Sequence, residues 1–333
     1  MTGIRPVRAT LTALALAAAA ATAHAAEAPP PGPLPGIHGT DDRVTVRPLD
    51  WPWTAIGRLE RLSGGFCTAT LVDPRHVLTA AHCIWDPQTA SLRPPEDLRF
   101  AAAFYEGTAV ALVPAAGYRL SPDYAPERGR SPEEAVRDWA LVELAHPIDG
   151  ILPIPVVAAA PGELEDAAAD GRLTQAGYSQ DRGEVLSVHA GCGVDRTVAD
   201  GRLIMHLCDA VSGASGSPLL VFDEPEPGRE GGIRLTGIHI GSAAADADTD
   251  TDTGAGGGGE AVAIRGVDGL GIAVTATAFA GWLTEALAGL HDEPALSTER
   301  DRPAGQRASD ARASAPAVTV PMIGSDPARP TSR

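Results

Sequence analysis

The 333-residue chain is 44% hydrophobic and 21% charged, enough apolar material for one large core or two modest ones and too much for wholesale disorder. Its formal net charge of −17, without any basic stripe, argues against a nucleic-acid partner. Lysine is absent altogether, which excludes Schiff-base chemistry and serine–lysine dyads.

The first residues read as an export signal. Arg5 and Arg8 precede an apolar run from Leu11 to Ala21, and Ala23-His24-Ala25 supplies a small-x-small cleavage pattern. A signal peptide over residues 1–25 and delivery to the periplasm or the medium are therefore expected. The run is too short to span a bilayer comfortably, and no later stretch is apolar enough for a membrane anchor. Residues 26–43 read as a linker or pro-segment, rich in Pro and Ala up to Gly36.

From there the texture is one of short apolar stretches between turn residues, the pattern of antiparallel strands. A first β unit is expected over 44–155, with strands at Thr54–Leu59, Phe66–Val72, Val77–Leu78, Ala101–Tyr105, Ala109–Val113 and Trp139–Leu144. Pro147–Pro155 and the polar stretch Gly162–Gly171 read as a crossover. A second unit over 156–291 carries strands at Leu173–Tyr178, Val185–His189, Leu203–Leu207, Pro218–Phe222, Ile233–Ile240 and Ile272–Val274. It ends in one helix, Ala276–Leu290, with Phe279, Leu283, Ala286 and Leu287 on one face.

Residues 243–260 are acidic and then glycine-rich, with Asp246, Asp248, Asp250 and Asp252 at alternate positions. Counted from Asp248, an EF-hand needs Gly sixth and Glu twelfth, where the chain has Thr253 and Gly259. This is read as a flexible surface loop, not a metal site. Residues 292–333 show no periodicity and are expected to be a disordered tail.

All four cysteines follow the signal, and an even count in an exported chain suits disulfides. Of three possible pairings, Cys67–Cys83 and Cys192–Cys208 close short local loops, each giving roughly 3 kcal/mol on the chain-entropy account. Neither pair has the spacing of a zinc site.

Three strings carry chemistry. Leu78-Thr79-Ala80-Ala81-His82-Cys83 holds a histidine after a strand of small residues, pinned by a disulfide, as a general base requires. Cys208-Asp209-Ala210-Val211-Ser212-Gly213-Ala214-Ser215-Gly216-Ser217-Pro218 offers Ser215 on a tight turn between glycines. The N–H groups of Gly213 and Ser215 are the candidate oxyanion hole. Asp138, opening the apolar stretch Trp139–Leu144, is the candidate carboxylate partner of His82; Asp123, in a turn sequence, is its competitor.

The order His, Asp, Ser and these strings resemble the chymotrypsin-fold serine proteases, most closely their bacterial secreted glutamyl endopeptidase branch. Asp41-Asp42-Arg43 upstream of Trp51-Pro52-Trp53, the turn Gly213-Ala214-Ser215-Gly216-Ser217-Pro218, and Gly237-Ile238-His239-Ile240-Gly241 carry that likeness. The resemblance spans about residues 40–290 and is dense only at the motifs. It implies an all-β protein of two six-stranded antiparallel barrels with a C-terminal helix. His82 and Asp138 would come from the first barrel and Ser215 from the second. Digestive trypsin-like enzymes place an Asp immediately before the nucleophile, whereas this chain has Ala214; activation through that ion pair is not expected.

Two residues compete for the specificity pocket. Asp209 stands where trypsin-like enzymes place the carboxylate that binds Arg or Lys, and His239 where glutamyl endopeptidases place a histidine for Glu. The reading is a secreted, monomeric serine endopeptidase acting on proteins or peptides without a cofactor, with a lean toward Glu. The alternatives are cleavage after Arg or Lys, or an inactive protease fold used as a binding module. A lipase or esterase would need Gly-x-Ser-x-Gly and the order Ser, Asp, His, neither of which is present.

Overall fold

Apolar residues recurring every second position bury one face of a pleated strand, and most of the chain is built from such strands. The computed structural model describes residues 34–128, 131–160, 162–225, 231–244, 262–263 and 269–291. The signal-peptide expectation (1–25), the tail (292–333) and all but the first two residues of the acidic loop (243–260) lie outside the described residues.

The first half is a closed barrel. β1 (Val44–Val46) leads into a 3-10 turn at Trp53–Ala55 after a cis Trp51–Pro52 bond. β2 (Ile56–Arg61), β3 (Phe66–Asp73) and β4 (His76–Thr79) are consecutive antiparallel neighbours. β5 (Trp85–Asp86) and β6 (Ser91–Leu92) form a small separate ribbon, and β7 (Leu98–Ala102), β8 (Ala111–Leu120), the one-turn α1 (Pro132–Ala135) and β9 (Ala140–Leu144) follow. The barrel closes in the order β2-β3-β4-β9-β8-β7. Ile56, Leu59, Leu71, Phe100, Val142 and Leu144 fill it and are essentially inaccessible to solvent. Burying side chains of this size stabilises by roughly 1.5–3 kcal/mol each.

The second half is a nine-stranded sheet. α2 (Glu163–Ala169) precedes β10 (Leu173–Gly177), β11 (Leu186–Ala190), β12 (Val194–Val198) and β13 (Leu203–His206). β14 (Pro218–Asp223), β15 (Gly232–Ala244), β16 (Val262–Ala263) and β17 (Gly271–Thr275) complete it. The order is β1-β11-β10-β14-β15-β17-β13-β12, with β16 parallel to β15. A 3-10 turn (Ala276–Ala278) then leads into α3 (Ala280–His291). One compact unit runs to Leu287, and the last residues of α3 belong to a second.

The architecture is mostly β and chymotrypsin-like, with the expected C-terminal helix. In the second half β11 pairs with β10 and β12 with β13, and only residues 191–193 lie between them, so one bent strand joins the two ends of the sheet. The outer edge of β11 is taken by β1, through Val44↔Val188 and Val46↔Leu186, so the sheet extends to the N-terminal segment. The stretch read as a crossover contains α2, which buries Leu164 and Ala167.

The halves share one apolar core. Tyr178 is fully buried against Phe104 at 6.2 Å between ring centroids, and its hydroxyl donates to the Phe104 carbonyl at 2.8 Å. Burial raises the Tyr178 pKa, which keeps that donor neutral.

Candidate active site

Adjacent strand ends bring the first two residues together. β4 and β9 pair antiparallel with Thr79 opposite Ala140. The chain leaving β4 therefore lies beside the chain entering β9. The first carries His82, in a 3-10 turn at Ala81–Cys83; the second carries Asp138. His82 Nδ1 is 2.6 Å from Asp138 Oδ2, and the His82 backbone N–H donates to Oδ1 at 2.9 Å. A carboxylate accepts, so Nδ1 holds the ring proton and Nε2 keeps its lone pair.

Both residues are held from behind. Cys83 is bonded to Cys67 of β3. Trp139 stacks edge-on against Trp282 of α3 at 4.9 Å and lies 5.7 Å from Phe279. The helix thus anchors the residue next to Asp138.

Ser215 sits on a turn whose backbone no side chain larger than glycine would tolerate at two points. Gly213 has φ +97° and Gly216 has φ +83°. A Cβ on Gly216 would collide with the Thr68 carbonyl and the Thr79 hydroxyl, and one on Gly213 would press on Phe66. The turn is fixed from both halves. Thr68 N–H of β3 donates to the Ser215 carbonyl at 2.8 Å, and Gly216 N–H donates to the His239 carbonyl of β15 at 2.7 Å. The N–H groups of Gly213 and Ser215 donate to no backbone carbonyl among the described residues. They are available to a ligand oxygen.

A cleft of about 400 Å³ opens between the halves, lined by His82, Ser215, Gly213, Phe66 and Arg61 among others. His82 Nε2 is buried and without a hydrogen-bond partner among the described residues. No hydrogen bond joins it to Ser215 Oγ in this structure. Such contacts are commonly long without substrate and tighten when it binds.

The two specificity candidates have different surroundings. Asp209 is buried, and its carboxylate accepts from the backbone N–H groups of His38 at 2.7 Å and Asp42 at 2.9 Å. His189 Nδ1 accepts from the Asp209 backbone N–H at 2.9 Å. The carboxylate is thus occupied in holding the N-terminal segment against the sheet. Arg43 strengthens that attachment through Asp41 and through Asp181 at 2.7 Å. Hydrogen bonding to Arg43 lowers the Asp41 pKa to about 2.

His239 is buried beside the Ser215 turn, and its backbone N–H donates to the Ser217 carbonyl at 2.8 Å. Its Nδ1 lies 3.1 Å from His206 Nε2, and Cys208 N–H points at His206 Nδ1 at 3.2 Å. The amide can only donate, so His206 Nδ1 accepts and His206 Nε2 carries its proton. That proton goes to His239 Nδ1, leaving His239 with N–H at Nε2. Burial, then the neighbouring histidines, pushes both pKa values below the ordinary histidine range, so the pair is neutral.

His206 lies within the expected strand Leu203–Leu207, where no local pattern marks it; its fully buried place at the end of β13 emerges only from the fold. Both expected disulfides, Cys67–Cys83 and Cys192–Cys208, are formed.

Residues 67–224 match the family model described as the trypsin-like peptidase domain. Serine protease 23 of Rattus norvegicus is 31% identical over 229 residues, which cover 62% of this chain and 56% of that protein. The chain thus spans a little over half the length of that relative. A solved glutamyl endopeptidase bound to MPD superposes with a TM-score of 0.52 at 20% identity, covering 76% of this chain and 99% of that one. The VesB protease of Vibrio cholerae gives a TM-score of 0.47 at 17% identity, covering 74% and 67%.

Proposed function

We propose that this chain, in which a trypsin-like peptidase domain match lies over a chymotrypsin-like fold, is a secreted serine endopeptidase that favours cleavage after glutamate. The observation that carries the catalytic part is the two-point hold of Asp138 on His82, at 2.6 and 2.9 Å, beside a cleft shared with Ser215. In the reaction Ser215 Oγ attacks the scissile carbonyl carbon while His82 Nε2 takes the hydroxyl proton. The carbonyl oxygen gains the negative charge and accepts from the N–H groups of Gly213 and Ser215. His82 returns the proton to the leaving amine, and the C–N bond breaks to leave an acyl-enzyme on Ser215. Water, deprotonated by His82, then releases the acid and restores the serine. Asp138 fixes the imidazole tautomer and stabilises the imidazolium of each step.

The glutamate preference rests on the neutral His206–His239 pair, which leaves His239 with a fixed N–H at Nε2 beside the Ser215 turn, a donor suited to a carboxylate. The engagement of Asp209 by His38 and Asp42 disfavours a role in binding Arg or Lys. The similarity to a glutamyl endopeptidase and to serine protease 23 is in keeping with the reading. Export rests on the sequence of residues 1–25 and on the two disulfides, which suit an oxidising compartment. Among the described residues no helix is long and apolar enough to cross a membrane.

The test is digestion of a denatured protein with identification of the cut sites by mass spectrometry, beside a Ser215→Ala control. Cuts after Glu, absent from the control, are expected. Cuts after Arg or Lys would overturn the specificity, and the absence of any cut would turn the reading toward a binding module.

A further inference from the structure

Two cations that the reaction above does not use line the cleft, Arg61 and Arg93, and Arg93 is paired with Asp86 and Asp97. Arg61 ends β2, and the hairpin turns back at once through Gly64 and Gly65, with Arg61 N–H donating to the Gly65 carbonyl at 3.1 Å. The side chain folds over this turn. Its Nε donates to the Gly64 carbonyl at 3.1 Å, and its Nη1 lies 3.8 Å from Cys67 Sγ, so the guanidinium rests on the disulfide that runs to Cys83, the neighbour of His82. A Cβ on Gly65 would collide with Arg61 Nη2, so this resting place needs glycine there.

Arg61 enters no ion pair among the described residues, in a chain whose net charge is −17. The two nearby carboxylates are already taken. Arg93 reaches Asp86 at 3.2 Å and Asp97 at 3.4 Å, and Asp97 also accepts from Ser63 N–H and Oγ. Of the five N–H donors of a guanidinium, three of those on Arg61 are left without an acceptor among the described residues. A partly desolvated cation with an unspent fork of donors is the side chain best suited to take a planar carboxylate.

Its side of the cleft follows from the proposed reaction. His82 hands its proton to the departing amine, so the chain beyond the scissile bond passes His82 and the Cys67–Cys83 disulfide, where the guanidinium lies. The acyl side lies toward His239 and the nucleophile turn.

We propose that Arg61 forms a subsite for an acidic side chain on the leaving-group side of the scissile bond, so that the enzyme favours Glu or Asp shortly after the cut. This rests on the endopeptidase reading and adds a second acidic preference to it, separate from the one assigned to His239.

The test uses C-terminally amidated fluorogenic peptides with one fixed acyl side, which differ only in carrying Glu or Ala at the first two positions after the cut. Wild-type chain is expected to favour Glu about tenfold in kcat/KM, the scale of a charge-assisted pair that is not fully desolvated. The preference should shrink as salt is raised. In Arg61→Gln the Glu-to-Ala ratio should fall to near one, and Arg61→Lys should restore part of it. A wild-type ratio near one, or a ratio that Arg61→Gln leaves unmoved, overturns the subsite.

A substrate whose leaving group is a plain anilide reports on hydrolysis alone, so its turnover separates the two readings. Anilide turnover without an acidic preference sinks the subsite and spares the endopeptidase. If neither substrate type is hydrolysed, equilibrium binding of the same peptides to Ser215→Ala decides. Tighter binding of the Glu peptide, lost when Arg61→Gln is added, supports the subsite; equal binding overturns it.

Discussion

The two halves of the molecule solve the problem of burial differently. The first closes its hydrogen-bonding edges into a barrel around aliphatic side chains and Phe100, and holds its chemical residues, His82 and Asp138, at strand ends outside the core. The second adds β1 to its sheet and gathers titratable groups under cover at one place: His206, His239 and Asp209 are nearly inaccessible. A polar group under cover must have its partners supplied, or it costs about 1–3 kcal/mol. Here the partners come from backbone N–H groups, from another histidine and from the N-terminal segment. The barrel thus holds His82 and Asp138 on paired strand ends, while the sheet holds a neutral histidine pair in one fixed tautomeric arrangement.

The comparison breaks most visibly at the nucleophile. Ser215→Ala should lower kcat/KM by about 10³-fold or more while leaving the unfolding temperature unchanged, since the hydroxyl lines the cleft and the turn is held by its backbone. Paired activity and calorimetry measurements check it; a large drop in melting temperature would show that the serine also holds the turn.

Next comes Asp209→Ala, which should destabilise the protein by roughly 2–4 kcal/mol, because the His38 and Asp42 N–H groups lose their acceptor. Denaturant unfolding measures it. A near-neutral effect would mean that the N-terminal segment adds little to the second half.

His239→Ala should act on choice more than on rate, lowering the preference for Glu over Gln at the cut by about 10- to 100-fold. Competitive cleavage of a mixed peptide pool reads this ratio, and equal losses on both substrates would move the recognition elsewhere.

The gentlest probe is pH. His206 and His239 have folded pKa values below their unfolded ones, so the unfolded state binds more protons once pH drops under about 6.5. Stability should be full above that pH and decline progressively as pH falls below it, toward the folded value of about 3 for His239. Asp41 adds its own loss only at lower pH, as pH falls from about 4 toward its folded value of about 2. A His206→Asn/His239→Gln double variant should flatten the upper slope in melting temperature against pH. An unchanged slope would assign it to other groups.

The sequence made the strands of the barrel legible because each is a short apolar run with turn residues on both sides, as at Phe66–Asp73 and Ala140–Leu144. The strings around His82 and Ser215 were legible for another reason: glycine and small residues stand where backbone must approach backbone, as Gly216 does at Thr68. β12 escaped notice because its middle residues, Asp195, Arg196 and Thr197, are exposed and carry no apolar alternation. The partners of Asp209 were out of reach, since its hydrogen bonds span 167 and 171 residues and no local pattern encodes them. The same holds for β1 on β11, where Val44 pairs with Val188 across the whole first half of the chain.

The anchorage of the first described residues limits how far the front of the chain can be trimmed. The Ala210 N–H donates to the Gly36 carbonyl at 2.9 Å, and a Cβ on Gly36 would run into the Ala210 carbonyl. Two residues further on, His38 begins to supply the amides that neutralise a buried carboxylate. A maturation cut that falls before Gly36 leaves this seam whole. A cut between His38 and Arg43 would strand Asp209 under cover with one or both of its donors gone.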